Sequence, residues 1–126
     1  MAGSPFPLLA LGAAALLLSK GGGEKGDSSP AVEKLPIKVV DLWAPWCMPC
    51  KQYTPTFLAV GAANPDIVFE RINVDEMPEI LDAAGVENIP ATVIELEGEI
   101  VHVEVGLLTV PQLQQLVDAA REDFHS

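Results

Sequence analysis

Cysteine, histidine and basic side chains are scarce in these 126 residues, and each scarcity removes a class of function. Two cysteines cannot supply the several bridges that staple small secreted domains. Seven basic residues against 18 acids leave a formal net charge of -11, which repels nucleic acid and anionic lipid, so no nucleic-acid partner is expected. The two histidines, His102 and His125, lie far from the cysteines and lack paired spacing, whereas zinc wants about four ligands. The apolar run from Leu8 to Leu18 has 11 residues, short of the roughly 20 that span a bilayer. No internal repeat is present, and the length suits one domain rather than two.

What the two cysteines do have is position. Both fall in Trp46-Cys47-Met48-Pro49-Cys50-Lys51, after a strand-like apolar run from Ile37 to Ala44 and before a helical pattern. Thiols one helical turn apart open and close a disulfide without moving the fold, which makes thiol–disulfide exchange the leading reading. A bridge closing so few residues constrains the unfolded chain little, so reactivity explains it better than stability. Half of a zinc site is the rival reading of the same pair.

Composition divides the chain into three zones. Segment 1–19 holds the apolar run, which matches the h-region of a signal peptide, where about 7–15 residues are usual. No Lys or Arg precedes it, and Ser19-Lys20-Gly21 offers a small-x-small cleavage site. It reads as an export signal or membrane anchor, which makes the protein membrane-anchored or extracytoplasmic; a soluble, cytoplasmic terminus is the alternative. Segment 20–35 is a flexible Gly/Ser-rich linker that suits a tether. Residues 36–126 form the domain. Lys20, Glu24, Lys25 and Asp27 cancel, so the acidic excess belongs to residues 31–126.

Within the domain, Ile37 to Trp43 is β-branched and nearly all apolar, as a strand buried on both faces should be. A helix runs from the cysteines to about Ala62, with Tyr53, Phe57, Leu58 and Val60 along it and Pro55 inside it. Ile67 to Asn73 is a second strand, and Pro78 to Ala84 a short helix stopped by Gly85. Strands at Ala91–Leu96 and Glu99–Val105 flank a Glu97-Gly98 turn. A last helix from Val110 to Ala120 carries an apolar stripe of Leu113, Leu116 and Val117, with Thr109 as its cap. The order β-α-β-α-β-β-α implies an α/β fold with a mixed sheet covered on both faces.

These residues resemble the thioredoxin family. The resemblance rests on Val40-Asp41-Leu42-Trp43-Ala44-Pro45-Trp46-Cys47-x-Pro49-Cys50-Lys51, Asn73-Val74-Asp75, Gly85-Val86-x-x-Ile89-Pro90 and Val105-Gly106, and spans roughly residues 36–122. Thioredoxins carry a further strand and helix before the central strand, and the polar segment before residue 36 is too short for both. A trimmed four-stranded thioredoxin-like sheet is expected, in the order 67–73, 37–43, 91–96, 99–105. Met48 stands where thioredoxins typically carry glycine, a position that tunes the redox potential.

Cys47 is expected at a helix start, where free N–H groups and the dipole favour a thiolate. The resemblance implies thioredoxin's own value, about 7 against roughly 8.5 for a free thiol. Cys47 attacks a substrate disulfide, and Cys50 attacks Cys47 to release the product, with no cofactor. Asp41, an acid in an apolar strand, is expected to be buried with a raised pKa and to take the Cys50 proton. Arg71 falls where thioredoxins carry a lysine near that carboxylate. Pro49 fixes the helix entry. The resemblance implies a cis Ile89-Pro90 bond whose exposed Ile89 backbone pairs with an extended substrate. Trp46, Pro45 and Met48 form an apolar rim with Gly106 opposite; Trp43 is assigned to the core, and Asn73-Val74-Asp75 to shaping a turn.

The expected function is thus a thiol–disulfide oxidoreductase acting on disulfide-containing proteins, as a reductase and a monomer, recycled by a reductase or membrane electron donor. An extracytoplasmic oxidase or isomerase and a non-enzymatic binding module on the same scaffold are the alternatives.

Overall fold

A computed structural model describes residues 33–125. Segment 1–19 and most of the linker lie outside the described residues. The seven-residue strand β1 (Ile37–Trp43) lies at the centre of the sheet. It pairs in parallel with β2 (Val68–Asn73) and antiparallel with β3 (Ala91–Leu96), which pairs antiparallel with β4 (Glu99–Val105). The sheet order is β2-β1-β3-β4, the trimmed four-stranded arrangement expected above. Glu97 and Gly98, with φ of +54° and +85°, make the β3–β4 turn.

Alternation along β1 sends its side chains to two separate cores. Ile37 and Val39 join Ile94 and Leu96 under helices α1 (Met48–Ala63) and α3 (Val110–His125), which contribute Tyr53, Phe57, Val60, Leu113 and Val117. Val40 and Leu42 join Ala91 and Val93 under α2 (Glu79–Ala84), which adds Ile80, Leu81 and Ala84. Helices therefore cover both faces. A six-residue helix is short, and where this second face stays in water its side chains are charged. There Lys38 lies beside Glu95 in register and places its Nζ 3.3 Å from Glu70 Oε1.

Several element ends differ from the sequence reading. Pro55 sits inside α1 without ending it. Leu58 is exposed at 56%, because burial of Tyr53, Phe57 and Val60 defines one helical face and Leu58 lies about 100° off Phe57. Helix α3 runs five residues past Ala120, held by Arg121 against Asp66 and by Phe124 packed on the core. Its start is a reciprocal cap: Gln112 N–H donates to Thr109 Oγ1 at 3.2 Å and Thr109 N–H to Gln112 Oε1 at 2.9 Å. Lys34 and Leu35, assigned by composition to the linker, are tied to the domain. The Leu35 N–H donates to the Asp66 carbonyl at 2.7 Å, and Lys34 Nζ donates to that of Pro65 at 2.7 Å.

Buried Asn64 joins α1 to α3 at the far end of α1. Its amide donates to the Val60 carbonyl and to Gln114 Oε1, both at 2.8 Å, and its oxygen accepts from Arg121 Nη2 at 2.8 Å. The aromatic centre of the first core lies nearby, with Phe57 5.3 Å from Phe69 and 6.0 Å from Tyr53 between ring centroids. Phe57→Ala removes the shared ring of both contacts. It is expected to cost about 3–5 kcal/mol, read as a lower denaturation midpoint with an unchanged slope.

Candidate redox site

The C-terminal end of β1 delivers the chain to Cys47, the N-cap of α1, with φ -95° and ψ 106°. Cys47 and Cys50 are joined as a disulfide with a Cα–Cα distance of 5.2 Å. The Cys50 N–H donates to Cys47 Sγ at 3.2 Å, so the sulfur occupies the place that a capping oxygen takes in most helices. Pro49, in the first turn, gives up an N–H that has no intrahelical partner there. Cys50 is fully buried and Cys47 is 4% exposed, so a partner reaches the pair through Cys47.

Across from the disulfide, the Ile89 carbonyl oxygen lies 3.8 Å from Cys47 Sγ, and the Ile89–Pro90 peptide is cis. Ile89 is half-buried, whereas Pro90 is buried with its carbonyl taken by the Gly106 N–H at 2.8 Å. Gly106, at φ +109°, adopts a backbone that a side chain would strain. Trp46 and Met48 are 67% and 62% exposed, and Pro45 and Pro49 are exposed beside them.

Asp41 is completely buried in β1. Burial pushes its carboxyl above the ordinary value near 3.8, while the Arg71 hydrogen bond and charge pull it back. Arg71 Nε lies 3.1 Å from Asp41 Oδ2, and Oδ1 has no hydrogen-bond partner among the described residues. Tyr53, also buried, shares a 2.7 Å hydrogen bond with Thr92; burial first, and then the Asp41 charge, hold its phenol up at about 12 despite that bond.

A family model for thioredoxin matches residues 28–119. The chain belongs to the thioredoxin family. It is 36% identical over 84 residues to putative thioredoxin 2 of Streptomyces coelicolor, covering 67% of this chain and 63% of that protein. It is 38% identical over 84 residues to thioredoxin C-3 of Corynebacterium nephridii, covering 67% of this chain and 57% of that protein. The chain thus spans about three fifths of the length of these two thioredoxins. Among solved structures, the oxidised thioredoxin of Plasmodium falciparum superposes with a TM-score of 0.61 at 26% identity, over 68% of this chain and 82% of that one.

The structure brings the Cys47–Cys50 pair to the Ile89 carbonyl, with Gly106 bonded to Pro90 next to it, and links Asp41 to the Cys50 carbonyl only through Arg71 and Thr54. Sequence reasoning missed the role of Asp75. Its Oδ1 accepts the Trp46 indole N–H at 3.2 Å, while its own N–H donates to Asn73 Oδ1 at 2.9 Å. The Asn73-Val74-Asp75 turn therefore holds the exposed indole as well as redirecting the chain. Trp43 is half-buried against the second core, as assigned, and its ring also carries the Arg71 guanidinium 4.6 Å above it. His102 pairs with Glu104 at 2.8 Å. Among the described residues no group of three or more His, Cys, Asp or Glu side chains is placed to hold a metal.

A carboxyl held above its unfolded value costs the fold stability once it ionises. That cost disappears as pH falls through the raised value toward the unfolded value, about 3.9. Asp41→Asn is therefore expected to stabilise the oxidised protein near neutral pH, where Asp41 would be ionised. The gain should shrink to nothing by about pH 4, checked by denaturation midpoints across that range.

Proposed function

We propose that this chain is a thiol–disulfide oxidoreductase that reduces disulfides in extended protein segments. The observation that carries this reading is the Cys47–Cys50 disulfide capping α1, with Cys50 fully buried and Cys47 4% exposed beside the exposed Trp46 and Met48. In the reduced form the free N–H groups and the dipole at the start of α1 favour a Cys47 thiolate. That thiolate attacks one sulfur of the substrate disulfide. A bond forms between Cys47 and the substrate, the substrate's own S–S bond breaks, and the first substrate thiolate leaves to take a proton from water.

Cys50 then passes its proton to Asp41 and attacks Cys47 Sγ. The Cys47–Cys50 bond forms, the mixed disulfide breaks, and the second substrate thiol is released. Two electrons have moved from the dithiol to the substrate, and Asp41 returns its proton to solvent. Buried and raised in pKa, Asp41 suits the role of proton acceptor. The substrate segment lies along the Ile89 backbone, supported by Pro90 and Gly106, with Trp46, Met48 and Pro49 as its apolar border. A reductase or a membrane electron donor restores the dithiol.

We also place the protein outside the cytoplasm, exported or held at a membrane by residues 1–19. The 11-residue apolar run and the Gly-rich stretch after it support this reading. No helix among the described residues is long and apolar enough to cross a membrane. Fractionation of cells expressing the full chain, with mass determination of its N-terminus, should find it extracytoplasmic or membrane-bound. Recovery of the intact chain in the cytoplasm would overturn the placement.

Equilibration of the protein in graded thiol–disulfide buffers tests the direction of exchange. A potential near thioredoxin's own, about -270 mV, is expected of a reductant. A value near about -120 mV would mark an oxidant instead. Cys47→Ser should abolish turnover and Cys50→Ser should trap the mixed disulfide. No exchange in the unmodified protein, with partner binding unchanged in Cys47→Ser, would leave a binding module.

A further inference from the structure

The exchange steps above use the two sulfurs and an apolar border and leave the charge around them without a role. Between Arg71 and Arg121 the chain has no lysine or arginine, while acids recur throughout. Asp75, Glu76, Glu79, Asp82 and Glu87 fall in the segment that runs from the end of β2 through α2 to Ile89, and each is exposed.

Both ends of this segment are brought to the redox pair. At one end, Asp75 Oδ1 accepts the Trp46 indole N–H at 3.2 Å; at the other, the Ile89 carbonyl lies 3.8 Å from Cys47 Sγ. Glu87 is two residues from Ile89, so their Cα atoms are within about 7 Å, inside the Debye length of about 8 Å at physiological salt. Between the ends, Ile80, Leu81, Ala84 and Val86 pack in the same core as Cys47 and Cys50, which leaves the acids of α2 on the outside. One flank of the disulfide is therefore an acidic arc.

The flank formed by α1 differs, with Met48 and Lys51 exposed one helical turn apart. The other described bases are engaged elsewhere: Lys34 with the Pro65 carbonyl, Lys38 with Glu70, Arg71 with Asp41 and Arg121 with Asp66. The arc keeps its charge, right beside the one place where a substrate must approach Cys47.

We propose that this arc selects the substrate: the segment that docks along the Ile89 backbone carries lysine or arginine beside its disulfide, on the side that faces α2. The proposal rests on the exchange reading above and names the substrate class for it. Opposite charge speeds the encounter and fixes which way the segment lies. A segment with glutamate or aspartate at the same place meets like charge and is rejected.

Reduced full-length protein, freed of reductant, is mixed with two short peptides in separate reactions. Each peptide is closed by one disulfide, and they differ only in carrying lysines or glutamates beside the same cysteine. The second-order rate constant for loss of the peptide disulfide is expected to be roughly tenfold higher for the lysine peptide at low salt, and the gap should narrow as salt rises. Combining Glu76→Gln, Glu79→Gln and Glu87→Gln should remove most of that preference. The ratio compares two substrates on one protein, so any effect of the acids on the Cys47 thiol cancels. Equal rates for the two peptides overturn the proposal, as does a preference that neither salt nor the triple substitution changes. If neither peptide is reduced, the exchange reading fails. Fluorescence anisotropy with serine-for-cysteine versions of both peptides then decides the arc alone: tighter binding of the lysine peptide supports it, and equal affinities overturn it.

Discussion

Asp41 sits in a strand paired on both sides and packed on both faces, where an ionised carboxylate has no water to solvate it. Among the described residues only Arg71 meets the carboxylate, at Oδ2; the neighbouring polar groups bond to one another or to Arg71. Arg71 comes from one neighbouring strand, Thr92 from the other, and Tyr53 and Thr54 from the helix above. The same helix begins at the disulfide. One strand thus buries the acid and, four residues past its end, leads to the cysteine that caps α1. The packing of α1 on β1 then sets both.

The reactive pair needs little movement. Cys47 caps α1 with its sulfur, and the hydrogen bond from the Cys50 N–H uses a backbone group that the helix leaves free in any case. The second core holds Cys50 among apolar residues of the sheet and α2, while Trp46 and Met48 stay outside. Chemistry and recognition are thus divided between a fixed interior and an exposed border. Asp75, fastened to the turn after β2, is the polar anchor of that border.

The two faces of β1 and the place of the cysteines were legible, because each leaves a local pattern; the strand order followed only from the family resemblance. Continuous β-branching marks a central strand, Glu97-Gly98 marks a hairpin, and C-x-x-C after a strand marks the redox pair. Asp41 was legible as an acid amid apolar neighbours. The Trp46–Asp75 bond was not, since it joins side chains 29 positions apart with no periodic trace. The same holds for Tyr53–Thr92 and for the Asn64 junction, where identity alone says nothing about the partner. Leu58 misled because an apolar residue on a helix reads as core until the buried face is known. Helix α3 outran its expected end because the Arg121–Asp66 pair is a tertiary contact across 55 positions.

The trimmed sheet leaves β2 as a terminal strand, paired on one side only among the described residues. Free donors and acceptors along such an edge invite another chain to add itself, the usual first step of edge-to-edge aggregation. Here the strand reads Val68-Phe69-Glu70-Arg71-Ile72-Asn73, with Lys38 bound to Glu70 beside it, on a protein whose net charge is -11. An approaching copy would have to strip water from fixed charges while meeting a molecule of the same sign. Like-charge repulsion therefore opposes such addition, and it weakens as salt rises.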